Sequence, residues 1–239
     1  HSTSKIYFNE YLNLLKRIDK FQNFIDPDKL DNFFKGEYGD KSYSLLTLDD
    51  GFDDNYLFAK EVLNKLNIKA IFFVIPKFVN REESIRNEEF FKVLYPNHNL
   101  ELLYNLQKTF IPLNLDKILK IKNLGHKIGM HGYNHENFGN LNDMDVSFFI
   151  KKGIKIFKDY NLDVKYFAYP FGNRSSYNNK SNEIISKYFD YIFLGTRGFN
   201  FINKSNSNIK LLKRHPLSTH NKDLLYYPIK YSEIYFFTH

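Results

Sequence analysis

The chain has 239 residues, of which 43% are hydrophobic and 26% charged, and its formal net charge at pH 7 is +7. These proportions are typical of a folded globular protein with a sizeable core, and they exclude a chain that is disordered or fibrous throughout. Because the chain has no cysteine, it has no disulfide scaffold, thiolate zinc site or cysteine nucleophile, and a metal must bind to histidine and carboxylate side chains.

Residues 5–34 are predicted to be largely helical. Apolar side chains recur at helical spacing over residues 5–34, and Asp26-Pro27 is typical of the start of a second, short helix. The later pattern alternates between strands and helices. Strands are predicted at 42–48, 70–75, 127–130, 165–169, 191–194 and 210–212, and helices at 55–66, 115–124, 143–160 and 181–188.

Residues 80–113 interrupt this alternation and are interpreted as an insertion of one or two helices, forming a lid or one wall of a groove. The tail at 223–237 gives no clear pattern. Strands that alternate with helices favour an α/β fold with a parallel sheet, either a barrel or an open doubly wound sheet. Because no linker sequence divides the chain, we expect an N-terminal helical segment over residues 1–40, packed on one barrel that spans 41–239. In such folds the functional residues lie at the carboxyl ends of the strands.

Candidate metal ligands stand at two of these strand ends. Asp49-Asp50-Gly51 follows the first predicted strand, and two adjacent carboxylates are unfavourable unless a cation lies nearby. His131 follows the strand at 127–130, and His135 comes four residues later. If a helix starts here, this spacing places both imidazoles on one face of it. One carboxylate and two imidazoles form a set of three ligands that leaves open positions for catalysis.

Two further strand ends carry candidates of other kinds. Tyr169-Pro170-Phe171-Gly172 predicts a turn after the strand at 165–169, and a backbone N–H in such a turn can face a substrate oxygen. Arg214-His215 follows the strand at 210–212. Arg214 can pair with a carboxylate there, and His215 can act as a general acid.

These motifs together resemble the polysaccharide deacetylase family, also called the NodB-homology domain or carbohydrate esterase family 4. Thr47-Leu48-Asp49-Asp50-Gly51 resembles its TFDDG signature, the segment from His131 to His135 its H-S/T-x-x-H motif, and the segment from Phe167 to Gly172 its R-x-P-Y-G motif. The resemblance covers roughly residues 42–216. It implies a distorted (β/α) barrel of about seven units with a helical insertion.

The same resemblance implies metal-dependent removal of an N-acyl group, usually acetyl, from an amino sugar. Asp49 would be the general base, and the metal ligands would be Asp50, His131 and His135. The N–H of Phe171 would help to hold the oxyanion. His215 would be the general acid.

The chain departs from the family pattern at several positions. Ala168 stands where the family has the arginine that orients the catalytic aspartate, and Arg197 or Arg214 can replace it from another strand end. The chain has no tryptophan, which the family uses in its fourth motif, and Lys213 takes the place of a leucine in the fifth. The Tyr-Pro-Phe-Gly form of the third motif is similar to that of a branch acting on exopolysaccharides.

We therefore predict a metal-dependent hydrolase, most simply with Zn²⁺, that removes an N-acetyl group from an amino sugar of a bacterial surface polysaccharide or its precursor. The rings of Tyr133 and Tyr169 are expected to face the sugar. Two alternatives are a catalytically impaired barrel that binds carbohydrate and a metal-dependent amide hydrolase with a non-sugar substrate. We expect no nucleic-acid partner, because the basic residues form no long run, and no transmembrane segment, because no apolar run reaches the roughly 18 residues required. A cell-envelope or secreted location is expected, with the cytoplasm as the alternative.

Overall fold

The computed structural model describes residues 8–38, 41–80, 83–95, 111–162, 165–198, 200–201, 210–215, 217 and 234–238. It is an α/β fold in which seven parallel strands curl into a half-barrel flanked by helices, which confirms the predicted fold class. Among helices of the described ranges, none has the length and hydrophobicity that crossing a bilayer requires.

Within the described ranges the sheet has nine strands. Their bounds are β1 Asn23–Phe24, β2 Tyr43–Leu48, β3 Ala70–Val74, β4 Lys127–Met130, β5 Tyr166–Ala168, β6 Tyr191–Phe193, β7 Asn200–Phe201, β8 Lys210–Leu212 and β9 Ile234–Thr238. Their order is β7-β9-β2-β3-β4-β5-β6-β8, with β1 beside β2. Strand β9 is antiparallel to β2, whereas β1, β2, β3, β4, β5, β6 and β8 are parallel. The carboxyl ends of the parallel strands therefore meet at one rim.

Helices connect most of the parallel strands. They are α1 Phe8–Asp19, α2 Leu30–Phe34, α3 Asp54–Phe58, α4 Asn64–Leu66, α5 Glu83–Leu94, α6 Leu115–Asn123, α7 Asp143–Asp159 and α8 Asn179–Ile185. A π-helical turn, Ala59–Leu63, joins α3 to α4. Helix α5 lies in the predicted insertion, of which residues 96–110 fall outside the described ranges.

Strand β3 shows how the sheet divides the core in two. All five of its residues are buried. Because side chains alternate between faces along a strand, Phe72 packs with the helices on one side and Phe73 with the inner face of the half-barrel on the other. This burial on both faces explains the unbroken apolar run Ala-Ile-Phe-Phe-Val, which is typical of parallel sheets.

The N-terminal segment packs against both parts of this core. Leu15 on α1 belongs to the outer cluster, and Phe33 on α2 belongs to the inner one. The helical prediction over residues 5–34 fails between the two helices, because α1 ends at Asp19 and Asn23–Phe24 pairs with β2 as strand β1. A two-residue strand is too short for an alternating pattern to reveal it.

Candidate active site and metal centre

The end of β2 places two carboxylates at the rim. Asp49 is 4% exposed, and Asp50 is partly buried. The backbone turns sharply here, since φ is +70° at Asp50 and +74° at Gly51. A non-glycine residue with positive φ is strained, and such strain concentrates at functional sites.

The loop after β4 supplies two buried imidazoles, His131 and His135. The helix that the sequence analysis considered for this pair does not form, because residues 131–135 form a tight loop and the next regular helix, α7, starts at Asp143. His135 itself has φ of +58°. The carboxylate of Glu136 holds the loop by accepting hydrogen bonds from the backbone N–H groups of Tyr133, at 2.8 Å, and Asn134, at 2.7 Å.

The carboxylate and the imidazoles converge on one point. The Oδ1 atom of Asp50 lies 3.3 Å from Nε2 of His131 and 3.5 Å from Nε2 of His135. One potential ligand atom from each residue lies within 4.8 Å of the other two. A single divalent ion can therefore contact all three side chains, as the sequence predicted.

The surroundings of the two imidazoles fit metal binding. The Nδ1 atom of His131 is 2.9 Å from the carbonyl oxygen of Ala168, so Nδ1–H donates to this oxygen in the tautomer that leaves Nε2 unprotonated. Burial lowers the pKa of His135, which favours the neutral imidazole that binds metals. Two imidazoles and one carboxylate suit Zn²⁺ and similar divalent ions, with positions left for water or substrate.

Asp49 is held by an arginine from the opposite part of the sheet. The Nη1 atom of Arg214 donates to Oδ1 of Asp49 at 2.5 Å, and the two side chains are each 6% exposed. Arg214 is fixed by its Nε–H, which donates to the carbonyl oxygen of Leu194, and by its backbone N–H, which donates to Thr196. Of the two replacements considered for the arginine missing at Ala168, the structure thus pairs Arg214 with Asp49.

The loop after β5 brings Phe171 and Gly172 to the rim. Phe171 has φ of +63°, the residue is 47% exposed, and its ring centroid is 4.5 Å from that of His135. The part of the chain that the structure describes offers no hydrogen-bond acceptor to the Phe171 N–H. Gly172 lies against Gly195, where a Cβ added to Gly195 would be 2.3 Å from the Cα of Gly172. Only two glycines allow these loops to approach so closely.

The other three predicted site residues have hydrogen bonds or ring contacts with residues other than the candidate metal ligands. Tyr169 contributes to the cavity lining, but its side chain is fully buried and its hydroxyl donates to Asn182 at 2.8 Å, so the contact with a sugar that the sequence suggested for its ring stays a prediction. The ring of Tyr133 stacks on Phe149 under the ammonium group of Lys152. His215 is buried with Nε2 3.0 Å from the carbonyl oxygen of Gly198.

A cavity of about 350 Å³ opens above the metal site. It is lined by Asp49, Asp50, Leu94, Tyr95, His131, His135, Tyr169, Phe171, Gly172, Gly195, Arg197 and Arg214. Neither Tyr133 nor His215 is among these residues, so the roles in substrate contact and proton donation that the sequence suggested for them stay predictions. Leu94 and Tyr95 were not predicted as site residues, because they lie at the end of a helix of the insertion, where no strand-end motif marks them.

Comparison with known proteins agrees with this geometry. The family model described as "Polysaccharide deacetylase" matches residues 36–188, more than half of the chain. The chain belongs to the polysaccharide deacetylase family. The matched range contains the metal ligands, Asp49 and Phe171, whereas Arg214 and His215 lie beyond it. A search of curated proteins finds no match.

Solved structures of similar fold include three bacterial proteins. IcaB from Ammonifex degensii has 20% sequence identity and a TM-score of 0.63, and the match covers 85% of this chain and 81% of that chain. A de-N-acetylase from Aggregatibacter actinomycetemcomitans has 15% identity and a TM-score of 0.62, with coverage of 89% and 84%. The Streptococcus pyogenes deacetylase PplD, in complex with acetate, has 19% identity and a TM-score of 0.56, with coverage of 80% and 72%. At these identities the likeness shows a shared fold.

Proposed function

We propose that the protein is a metal-dependent hydrolase that removes an N-acetyl group from an amino sugar of a bacterial surface polysaccharide or its precursor. The observation that carries this proposal is the convergence of two groups of residues in one cavity. The ligand set Asp50, His131 and His135 lies beside the buried pair Asp49–Arg214. Membership of the polysaccharide deacetylase family supports a carbohydrate substrate, and the similar fold of a de-N-acetylase supports hydrolysis of an amide.

The residues of the chain have separate roles in this reaction. Asp50, His131 and His135 would hold the divalent ion, most simply zinc, which when bound polarises the substrate carbonyl and acidifies the attacking water. Asp49 takes a proton from this water as the water attacks the acyl carbon. Arg214 keeps Asp49 ionised and in one orientation, because its charge and its hydrogen bond act on the same carboxylate.

One further group stabilises the oxyanion, and Asp49 has a second task at the leaving amine. The backbone N–H of Phe171 lies at the cavity and donates a hydrogen bond to the developing oxyanion. The amine nitrogen must gain a proton when the carbon–nitrogen bond breaks. The carboxyl group of Asp49, protonated in the first step, can deliver that proton to the nitrogen, and the second proton of the water leaves with acetic acid, which ionises in solution. Donation by His215 is the other route, which the sequence predicted.

The test is acetate release from N-acetylglucosamine oligomers. The purified protein is stripped with a chelator, assayed, and assayed again after zinc is added back. We expect activity in the zinc-loaded protein alone and none in a zinc-loaded Asp49→Asn variant. Equal acetate release by the Asp49→Asn variant would contradict the role of Asp49.

Two other functions remain as outcomes of this test. Saturable binding of the oligomers without acetate release would identify a carbohydrate-binding barrel. Release of an acid from simple N-acyl amines, but not from sugars, would identify an amide hydrolase for non-sugar substrates. Because the proposed substrate is a surface polysaccharide, we also propose that the protein acts in the bacterial cell envelope or outside the cell.

A further inference from the structure

The wall of the cavity away from the sheet comes from the end of α5. Leu94 is the last residue of this helix, and Tyr95 follows it. Both line the cavity, and they belong to a different element of the chain from the loops that carry the candidate metal ligands. Tyr95 is 37% exposed. Its ring is therefore partly packed and partly available to a molecule in the cavity.

Helix α5 is anchored to the catalytic loop itself. The ring of Phe90 is fully buried and lies 5.3 Å from the rings of both Phe52 and Phe78. Phe52 follows Asp50-Gly51 directly, so the packing that seats the helix also supports the loop that carries the carboxylates. An ion pair between Lys77 and Glu89, 3.1 Å apart, adds a second attachment.

Tyr95 is held in place by its own helix. Its backbone N–H donates to the carbonyl oxygen of Phe91 at 2.9 Å, and its ring centroid lies 5.1 Å from that of Phe91, which is buried. A ring fixed in this way loses little conformational entropy when a ligand packs on it.

The cavity thus has two half-exposed aromatic rings on different elements, Tyr95 after α5 and Phe171 after β5. The polar groups between them belong to the metal site and to the two arginines that line the cavity. Sugars present apolar C–H faces and a polar rim of hydroxyl groups. Aromatic walls with a few fixed polar groups are suited to such ligands.

We infer that Tyr95 is a specificity-determining residue whose ring packs against a sugar ring of the substrate and whose hydroxyl contacts the sugar's polar rim. This inference rests on the proposed function, since it names the contact that holds the glycan over the metal site. It assigns to the inserted helix the role of one substrate-binding wall.

The kinetic test compares Tyr95→Ala with Tyr95→Phe in acetate release from N-acetylglucosamine oligomers. Loss of the ring should raise KM about tenfold with kcat within about twofold, because one aromatic contact contributes roughly this factor to binding. Tyr95→Phe keeps the ring and should restore most of the affinity. The matched control is Phe148→Ala, which removes a half-exposed ring of α7 that does not line the cavity. An unchanged KM in an active Tyr95→Ala enzyme would overturn the inference and leave the proposed function standing.

A binding test separates the two proposals. The chain has no tryptophan, so Tyr95→Trp in an Asp49→Asn background introduces a single tryptophan at the cavity wall. N-acetylglucosamine pentamers of two different linkages are titrated, with Phe148→Trp in the same background as control. A saturable change in emission at position 95 alone supports the inference, even if the wild-type protein releases no acetate and the proposed hydrolysis fails. No change at position 95 with either pentamer would refute the contact.

Discussion

The buried pair Asp49–Arg214 offers the sharpest test of the site. We consider removing each charge alone and both together, in the metal-free protein. Arg214→Met keeps an apolar stem near the ring of Phe73, over which the guanidinium lies at 5.7 Å. Asp49→Leu keeps the branched shape of the side chain without its charge.

The expected magnitude follows from burial. Both side chains are 6% exposed, so either single variant leaves a charge that water hardly reaches. Breaking a buried pair in this way costs about 3–5 kcal/mol of unfolding free energy, whereas replacing both partners by apolar groups is often close to neutral. The double variant should therefore be less destabilised than the sum of the singles by about 3 kcal/mol or more.

The assay is urea denaturation of the four proteins, combined with acetate release by the wild type, Arg214→Met and Arg214→Lys. Arg214→Met should lower kcat by about 10²–10⁴, the usual contribution of a positioned general base, while its zinc content stays unchanged. Arg214→Lys keeps the positive charge but lacks the planar guanidinium group, so its kcat should lie between those of the wild type and Arg214→Met. The argument would be refuted if the destabilisation of the double variant equalled the sum of the two single variants within about 0.5 kcal/mol. A kcat of Arg214→Met within twofold of the wild type would also refute it.

Three further predictions concern single residues. His131→Ala should lose both zinc and activity, whereas Asp49→Asn should keep zinc; equal zinc loss in both, measured by plasma mass spectrometry, would show that the carboxylates are wrongly assigned. Burial lowers the pKa of His126 from 6.5 to about 4. As the pH falls from 6.5 to about 4, the unfolded chain therefore takes up a proton at this histidine before the folded chain does. The unfolding free energy should fall by about 3 kcal/mol over this range. Urea titrations of the wild type and His126→Asn across this range check it, and identical pH dependence would contradict it. Gly195→Ala places a Cβ against the backbone of Gly172, so kcat and thermal stability should both fall, and an enzyme with wild-type kcat and melting temperature would disprove the close packing.

Most of the parallel strands were predictable because they are short apolar runs whose residues are almost all buried, and β8 was predictable from its two leucines although Leu211 is exposed. The strand predicted at 127–130 coincides with β4, and the one at 210–212 with β8. Strand β1 was missed, because two residues carry no periodicity and pair only where the tertiary fold brings Tyr43 beside them. Pairing with a distant strand also forms β9, at the end of a tail whose pattern predicted neither helix nor strand.

The convergence of the candidate metal ligands was predictable for a related reason. In a parallel sheet the carboxyl ends of neighbouring strands lie side by side, so Asp50 after β2 and His131 after β4 had to meet near β3. The local geometry was not predictable, because the spacing of His131 and His135 suits a helix as well as a loop. Gly132, which has φ of +68°, and Glu136 decide in favour of the loop.

The position of the arginine shows the limit of motif-based prediction most clearly. The resemblance predicts what the group does, which is to hold the carboxylate of Asp49, but a guanidinium can reach that carboxylate from more than one strand end of a half-barrel. Ala168 is fully buried beside Phe193, and its carbonyl oxygen already orients His131. With a small residue there, the space next to the carboxylate is filled from β8 by Arg214, whose guanidinium lies over Phe73. Charge and burial at Asp49 require one cation, and the curvature of the sheet leaves open which strand supplies it.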